Sequence, residues 1–363
     1  MIADRRLRAQ QIARHDFTAP AAVVAWLGAV QAQDYGSAKW AVGLRLPEGA
    51  TDSSIEEALT AGAILRTHAL RGTWQLVSPA DIRWMLALVS PRVIARFATR
   101  HRQLELDEAT FRRSNTAIER SLRQGHDLTR EEIAAVLNRT RISTVGQRLA
   151  HLIARAELDG VICSGPRRGK KGTYALVDQR APTSPRALSR DQALAELARR
   201  YFRSRGPATI ADFTWWSGLP PSDARAGLES VRAGLVSDVV DGRTYWASDE
   251  PARRSRSPAA YLLPAFDEYL VAYRHRDAVL DPTHVKHLNA GGGLLGPCVV
   301  VDGRVIGTWR RSLERSTVTV ELNLFDKPRR TLGSAVSAAA VRYAAFLGPE
   351  ARVATVLSEV PRQ

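Results

Sequence analysis

Cysteine is nearly absent. Cys163 and Cys298 are the two in 363 residues, too few for a disulfide framework or a four-thiolate zinc site. Lysine is almost as scarce: of 52 basic residues only Lys39, Lys170, Lys171, Lys286 and Lys327 are not arginine. An amine that forms a Schiff base needs an apolar setting. Lys170 and Lys171 sit in a Gly-flanked basic loop and the other three are isolated, so none is prepared for that chemistry. The longest apolar run, Ala21 to Val30, is about half of what crosses a bilayer, so no membrane span is expected. The start MIADRRLRAQQ has no apolar stretch directly behind its basic residues, so no secretory signal is expected and the protein reads as cytoplasmic. There is no P-loop and no dinucleotide fingerprint, and glycine clusters only at Asn289 to Gly293. His284 and His287 have no third ligand at useful spacing, so neither metal nor cofactor is expected.

Acid is also in short supply: 37 Asp and Glu against 52 Lys and Arg leave a net charge of +15. Codon bias in a GC-rich genome accounts for arginine over lysine, but not for base over acid. A surplus of this size attracts a polyanion. Nucleic acid is the first candidate; an acidic protein and an anionic metabolite are the alternatives. Apolar residues at 45% and charged residues at 25% are those of a globular protein, and the length suits two or three domains.

The clearest unit spans 127–180. Thr129 and Glu132 form a capping box before Ile133, Val136 and Leu137. Val145, Leu149, Leu152, Ile153 and Ala156 then make one apolar stripe that Gly160 closes. Two short strands follow around PRRGKKG. Helix, turn, helix and basic hairpin form the winged-helix pattern, with Arg167, Arg168, Lys170 and Lys171 on the wing. The pattern recurs over 187–248, with Thr209 as a cap, Pro221 opening a helix and an acidic hairpin at Asp241-Gly242. A third copy opens the chain within 1–126: a helix over Val23 to Val30, a helix started by Ser54 and Glu57, and strands paired across Arg71-Gly72. The helical stretch from Pro79 to Arg123 carries Arg83, Arg92, Arg96, Arg100 and Arg102, either a DNA-facing row or a solvated face. DEPARRSRSP reads as a linker. Beyond it, 259–363 is expected to be a mixed α+β domain, with a turn at Asp302-Gly303, alternation at Val318, Val320 and Leu322, and an Ala-rich helix from Ser334 to Leu347. The fold class is α+β: tandem winged-helix motifs with a C-terminal β-containing domain.

Gln31-Ala32-Gln33 follows the apolar helix. Two carboxamides at i and i+2 can face one cavity, each offering a donor and an acceptor; the plainer alternative is a pair of solvated or capping amides. His68, Arg71 and Trp74 put an imidazole, a guanidinium and an indole on one hairpin, a mixture suited to a phosphate or an extruded base, unless Trp74 is simply core. Asp267 and Glu268, read as neighbours on a strand, point to opposite faces and are assigned a structural role.

Taken together, QAQDYGSAKWAVGLR, RTHALRGTWQLVSPADIRWML, LLPAFDEYLVAYRHR and VVDGRVIGTWRR resemble the AlkZ-like DNA glycosylases, a winged-helix superfamily that also includes the YcaQ-type enzymes. The resemblance covers nearly the whole chain and keeps the motif order. It implies a C-shaped architecture around double-stranded DNA and excision of N7-alkylated purines, in some members crosslinked adducts of alkylating natural products as self-resistance. The family signature, Gln, an apolar residue, then Gln or Asp, falls on Gln31, Ala32 and Gln33, which become the catalytic pair, with Asp34 as an electrostatic partner. Gln75 stands where the family pattern has His. The expected DNA contacts are His68, Arg71, Trp74, Gln75, the four wing cations, and Arg310 and Arg311, with a hairpin near Trp309 probing the duplex. The enzyme is expected to be a monomer and a monofunctional glycosylase. A non-catalytic winged-helix regulator and a lesion-shielding protein are the alternatives.

Overall fold

The computed structural model describes residues 2–123, 126–181, 187–249, 259–289, 295–314, 317–326, 332–348 and 352–359. The linker after Asp249 and the glycine cluster after Asn289 lie outside them.

The chain opens with α1 (Ile2–Ala9), α2 (Pro20–Leu27), β1 (Val30–Gln31), α3 (Tyr35–Gly43), α4 (Asp52–Thr60), β2 (Leu65–His68) and β3 (Trp74–Val77). Pro20 starts α2 where its missing N–H costs nothing, and Gly28 ends it at φ 74°. The helix therefore stops short of the Val30 expected from the apolar run, and Val30 and Gln31 leave as a strand. They pair with β3, which pairs with β2, in the order β1-β3-β2. Helix α4 starts earlier than Ser54 suggests. Thr51 is the cap, and Ser54 is its capping-box partner rather than the cap itself. Next come the long α5 (Ile82–Gln103) and α6 (Glu108–Leu122).

The unit β4 (Leu128–Thr129), α7 (Arg130–Arg139), α8 (Arg148–Leu158), β5 (Ile162–Arg168), β6 (Lys171–Leu176) and α9 (Val177–Arg180) follows, its three strands ordered β4-β6-β5. The Thr129–Glu132 capping box is present. Val145 does not join the apolar stripe. The helix begins only at Arg148, which leaves Val145 78% exposed, while Leu152, Ile153 and Ala156 pack against Phe111 and Ile118 of α6. Helices α10 (Arg190–Arg205), α11 (Ile210–Ser217) and α12 (Pro221–Val231) share a core with α5, and the hairpin of β7 (Val236–Val240) and β8 (Arg243–Ala247) packs Trp246 against it.

The last segment holds β9 (Ala260–Leu263), α13 (Glu268–Val271), α14 (Val285–Leu288), β10 (Cys298–Val301), β11 (Arg304–Glu314), β12 (Thr317–Leu324), α15 (Leu332–Leu347) and β13 (Arg352–Glu359). Its five strands run β13-β12-β11-β10-β9, antiparallel except between β12 and β13. The alternation in β12 buries Val318, Val320, Leu322 and Leu324. This sheet closes on the start of the chain. Leu7, Val24, Trp40 and Ile55 share one core with Leu263, Trp309, Val320 and Tyr343, and the Trp40 indole donates to the Leu262 carbonyl at 2.7 Å. That closure puts Glu268 behind Gln31.

Candidate active site

The β1–β3 ladder carries Gln31 opposite Gln75 and then opens. The Ala32 N–H still donates to the Trp74 carbonyl at 2.7 Å. The Ala32 carbonyl instead accepts from Nε and Nη2 of Arg66, at 3.1 and 2.9 Å. The Trp74 N–H that it leaves free donates to Oε1 of Gln33 at 2.9 Å. A backbone donor without a ladder partner must find another, and here that need fixes a catalytic-candidate side chain. Gln33 is exposed, whereas Gln31 is 9% exposed.

Gln31 is held from two sides. Its Oε1 accepts from Nη2 of Arg71 at 2.6 Å, and its N–H donates to Oε1 of Glu268 at 2.9 Å. Arg71 occupies the left-handed turn between β2 and β3, at φ 59°, and also donates to the Trp216 carbonyl. The other oxygen of Glu268 accepts from Nε and Nη2 of Arg205 (3.0 and 2.7 Å) and from the Trp216 indole (3.0 Å). Arg205 also donates to the carbonyls of Leu27 and Ala29. Glu268 and Arg205 are completely buried. One ion pair therefore ties α10, α11, α13 and the strand bearing Gln31 together.

Both carboxamide oxygens are thus engaged by protein donors. Each NH2 group and the second lone pair of each oxygen are what the pair can offer a ligand. Asp34 caps α3, accepting from the Ser37 N–H at 2.6 Å.

The other expected contacts scatter. Arg71 turns inward and holds Gln31 rather than lying open to a phosphate. Gln75 is 1% exposed, because its side chain shares the inner face with Gln31. It donates to Oγ1 of Thr73 at 2.7 Å, and its own oxygen lies buried without a partner, so it cannot touch DNA directly. His68 meets Glu157 at 2.5 Å and the edge of Trp74. On the β5–β6 hairpin, Arg168 binds Glu132, whose carboxyl is held down at about 2 by the Thr129 N–H and then by that guanidinium. Arg167 donates to the Lys170 carbonyl, and Lys171 faces Glu131 at 3.6 Å. Trp309 cannot probe a duplex: it is 6% exposed, and its indole donates to the Leu263 carbonyl. Arg310 pairs across the sheet with Glu321, and Arg311 donates to the Tyr343 hydroxyl.

A family profile described as DNA glycosylase AlkZ-like matches residues 24–346. The chain belongs to this family. A Streptomyces sahachiroi protein named interstrand DNA cross-link repair glycosylase is 29% identical over 309 residues, which are 79% of this chain and 81% of that one. The solved structure of Streptomyces sahachiroi DNA glycosylase AlkZ superposes with a TM-score of 0.79 at 24% identity, covering 98% of each chain, and so shares the fold.

Sequence reasoning missed Arg66, Arg205 and Glu268. Glu268 was visible as a carboxylate inside the apolar stretch AFDEYLVAY, but a strand was the wrong frame for it. Asp267 caps the short α13 and binds the buried Arg45, at 2.8 and 2.9 Å, while Glu268 turns to Gln31. Among the described residues, no group of three or more His, Cys, Asp or Glu is arranged to hold a metal, and no helix is long and apolar enough to cross a membrane.

Proposed function

We propose that this chain hydrolyses the N-glycosidic bond of N7-alkylated purines in double-stranded DNA, including bulky or crosslinked adducts of an alkylating natural product. The observation that carries the reading is the Gln31–Gln33 pair, held in one orientation by Arg71, Glu268 and the Trp74 N–H. Alkylation at N7 makes the purine cationic and a good leaving group, so no strong general acid is required. The transition state gathers positive charge on the sugar, and the protein must position water and stabilise that charge. Gln33, the exposed member, orients the water through its NH2 group and its remaining lone pair. Gln31 contacts the water or the deoxyribose, and Asp34 supplies negative potential nearby.

Cleavage is monofunctional: Lys39 is committed to Asp52 and Glu56. The Cys163 thiol is raised by burial to about 12. Residues 127–180 and 187–248, with the helices and hairpin within 1–126, act as winged-helix modules, and with 259–363 they form a C around the duplex. The enzyme acts as a monomer in the cytoplasm.

Base release from duplexes carrying N7-methylguanine, or a crosslink from a bifunctional alkylator, tests the reading. Wild type should release base. Gln31→Ala and Gln33→Ala should bind but not release it. Binding without release by wild type would instead support a regulator or a lesion-shielding protein.

A further inference from the structure

A cleft of about 360 Å³ lies across the β2–β3 hairpin from Gln31, walled by α4, the start of α7 and the β5–β6 hairpin. The hydrolysis leaves it unused. Tyr35, directly after Asp34, and Trp74 of β3 line it, with Tyr174 of β6. The Arg66 guanidinium lies 3.0 Å from the centre of the Trp74 ring, and that of Arg167 lies 4.8 Å from Tyr35. The carboxylates are already answered. Glu56 accepts from the Tyr35 hydroxyl and Lys39, and Glu157 meets His68. Of the cations, Arg66 serves the Ala32 carbonyl, Arg167 gives one N–H to the Lys170 carbonyl, Lys171 faces Glu131 at 3.6 Å, and Arg130 lies at the rim.

Arg130 and the remaining N–H groups of Arg167 at the rim can still take a phosphate, but the inner walls are aromatic rings. A planar π-system needs flat faces, and a guanidinium stacked on an indole offers its outer face to a second ring. The volume suits a ring system larger than a methyl group. The cleft also adjoins Gln33, because the Trp74 N–H holds that side chain and Tyr35 follows two residues later, while Gln31 faces the other side of the sheet.

We infer that this cleft receives the planar aromatic appendage of a bulky N7-purine adduct and so widens the range of lesions excised. The inference rests on the glycosylase reading. Two positions outside the glutamine machinery test it. Thr60→Trp places a ring at an exposed residue lining the cleft, and Tyr35→Ala removes an aromatic wall, with Tyr35→Phe restoring it. The substrates are duplexes bearing N7-methylguanine, N7-(anthracenylmethyl)guanine or, as a bulky non-planar control, N7-(cyclohexylmethyl)guanine.

The expected result is a loss of about tenfold in kcat/KM for the anthracenyl adduct in Thr60→Trp and Tyr35→Ala. Release of N7-methylguanine should stay within about twofold, and Tyr35→Phe should match wild type. Equal losses on all three substrates, or no loss on the anthracenyl adduct, would overturn the inference while leaving the glycosylase reading intact. A wild type that releases no base from any duplex would end both.

Discussion

Replacing Arg71 by Lys keeps one positive charge in the turn but removes the fork that spans two acceptors. The guanidinium now reaches Oε1 of Gln31 at 2.6 Å through one nitrogen and the Trp216 carbonyl through the other. An ammonium group is a compact charge and cannot serve both in the same geometry. Burial pushes the Arg71 pKa down, with the Glu268 charge opposing that shift, so the site already disfavours charge that is poorly paired. A hydrogen bond to a charged group contributes about 1.5–3 kcal/mol. If about 2 kcal/mol of that orders the Gln31 carboxamide in the transition state, excision slows about thirtyfold. Single-turnover release of N7-methylguanine, measured beside the Kd for undamaged duplex, reads this directly. The rate should fall about thirtyfold with Kd unchanged within about twofold. An unchanged rate, or a loss lying wholly in Kd, would refute the positioning role and return Arg71 to the phosphate backbone.

Glu268→Gln leaves the Arg205 guanidinium unpaired in a dry interior and should cost about 3–5 kcal/mol, seen as a lower urea midpoint. Gly43→Ala should cost about 1–3 kcal/mol, because the added methyl would overlap the Phe346 ring; the melting temperature reports it. Burial, and then the neighbouring His151 and Arg155, hold His101 at about 4 instead of its ordinary 6.5. The unfolded chain therefore takes up a proton that the folded one refuses. The associated stability is complete above pH 6.5 and is lost as pH falls toward 4. Between pH 7 and 5, wild type should lose up to about 2 kcal/mol more than His101→Phe in parallel urea titrations.

Local signals were strong wherever the chain decides its own geometry. Thr129 with Glu132, Thr209, Pro221, Asp241-Gly242 and Asp302-Gly303 act within a few residues, and each marks a helix start or a turn where the structure has one. The Gln31-Ala32-Gln33 motif stood out only through the family resemblance; its spacing alone left solvated or capping amides as the plainer reading. Ser54 and Val145 were misread because neighbouring residues competed for the same helix start: Thr51 outbid Ser54, and the turn before Arg148 consumed Val145. The support of the motif was invisible for a different reason. Glu268 is 237 residues from Gln31, and Arg205 is 63 from Glu268. Nothing local marks such partners, since a buried ion pair acquires its meaning only when apolar burial closes the last sheet onto the first helices. Sequence alone determined the capped helix starts, the tight turns and the positive charge and, through the family resemblance, the carboxamide pair. The tertiary structure decided which arginines face inward, that Trp309 is core and Gln75 hidden, and that an aromatic cleft opens beside Gln33, because each depends on which surfaces meet after packing.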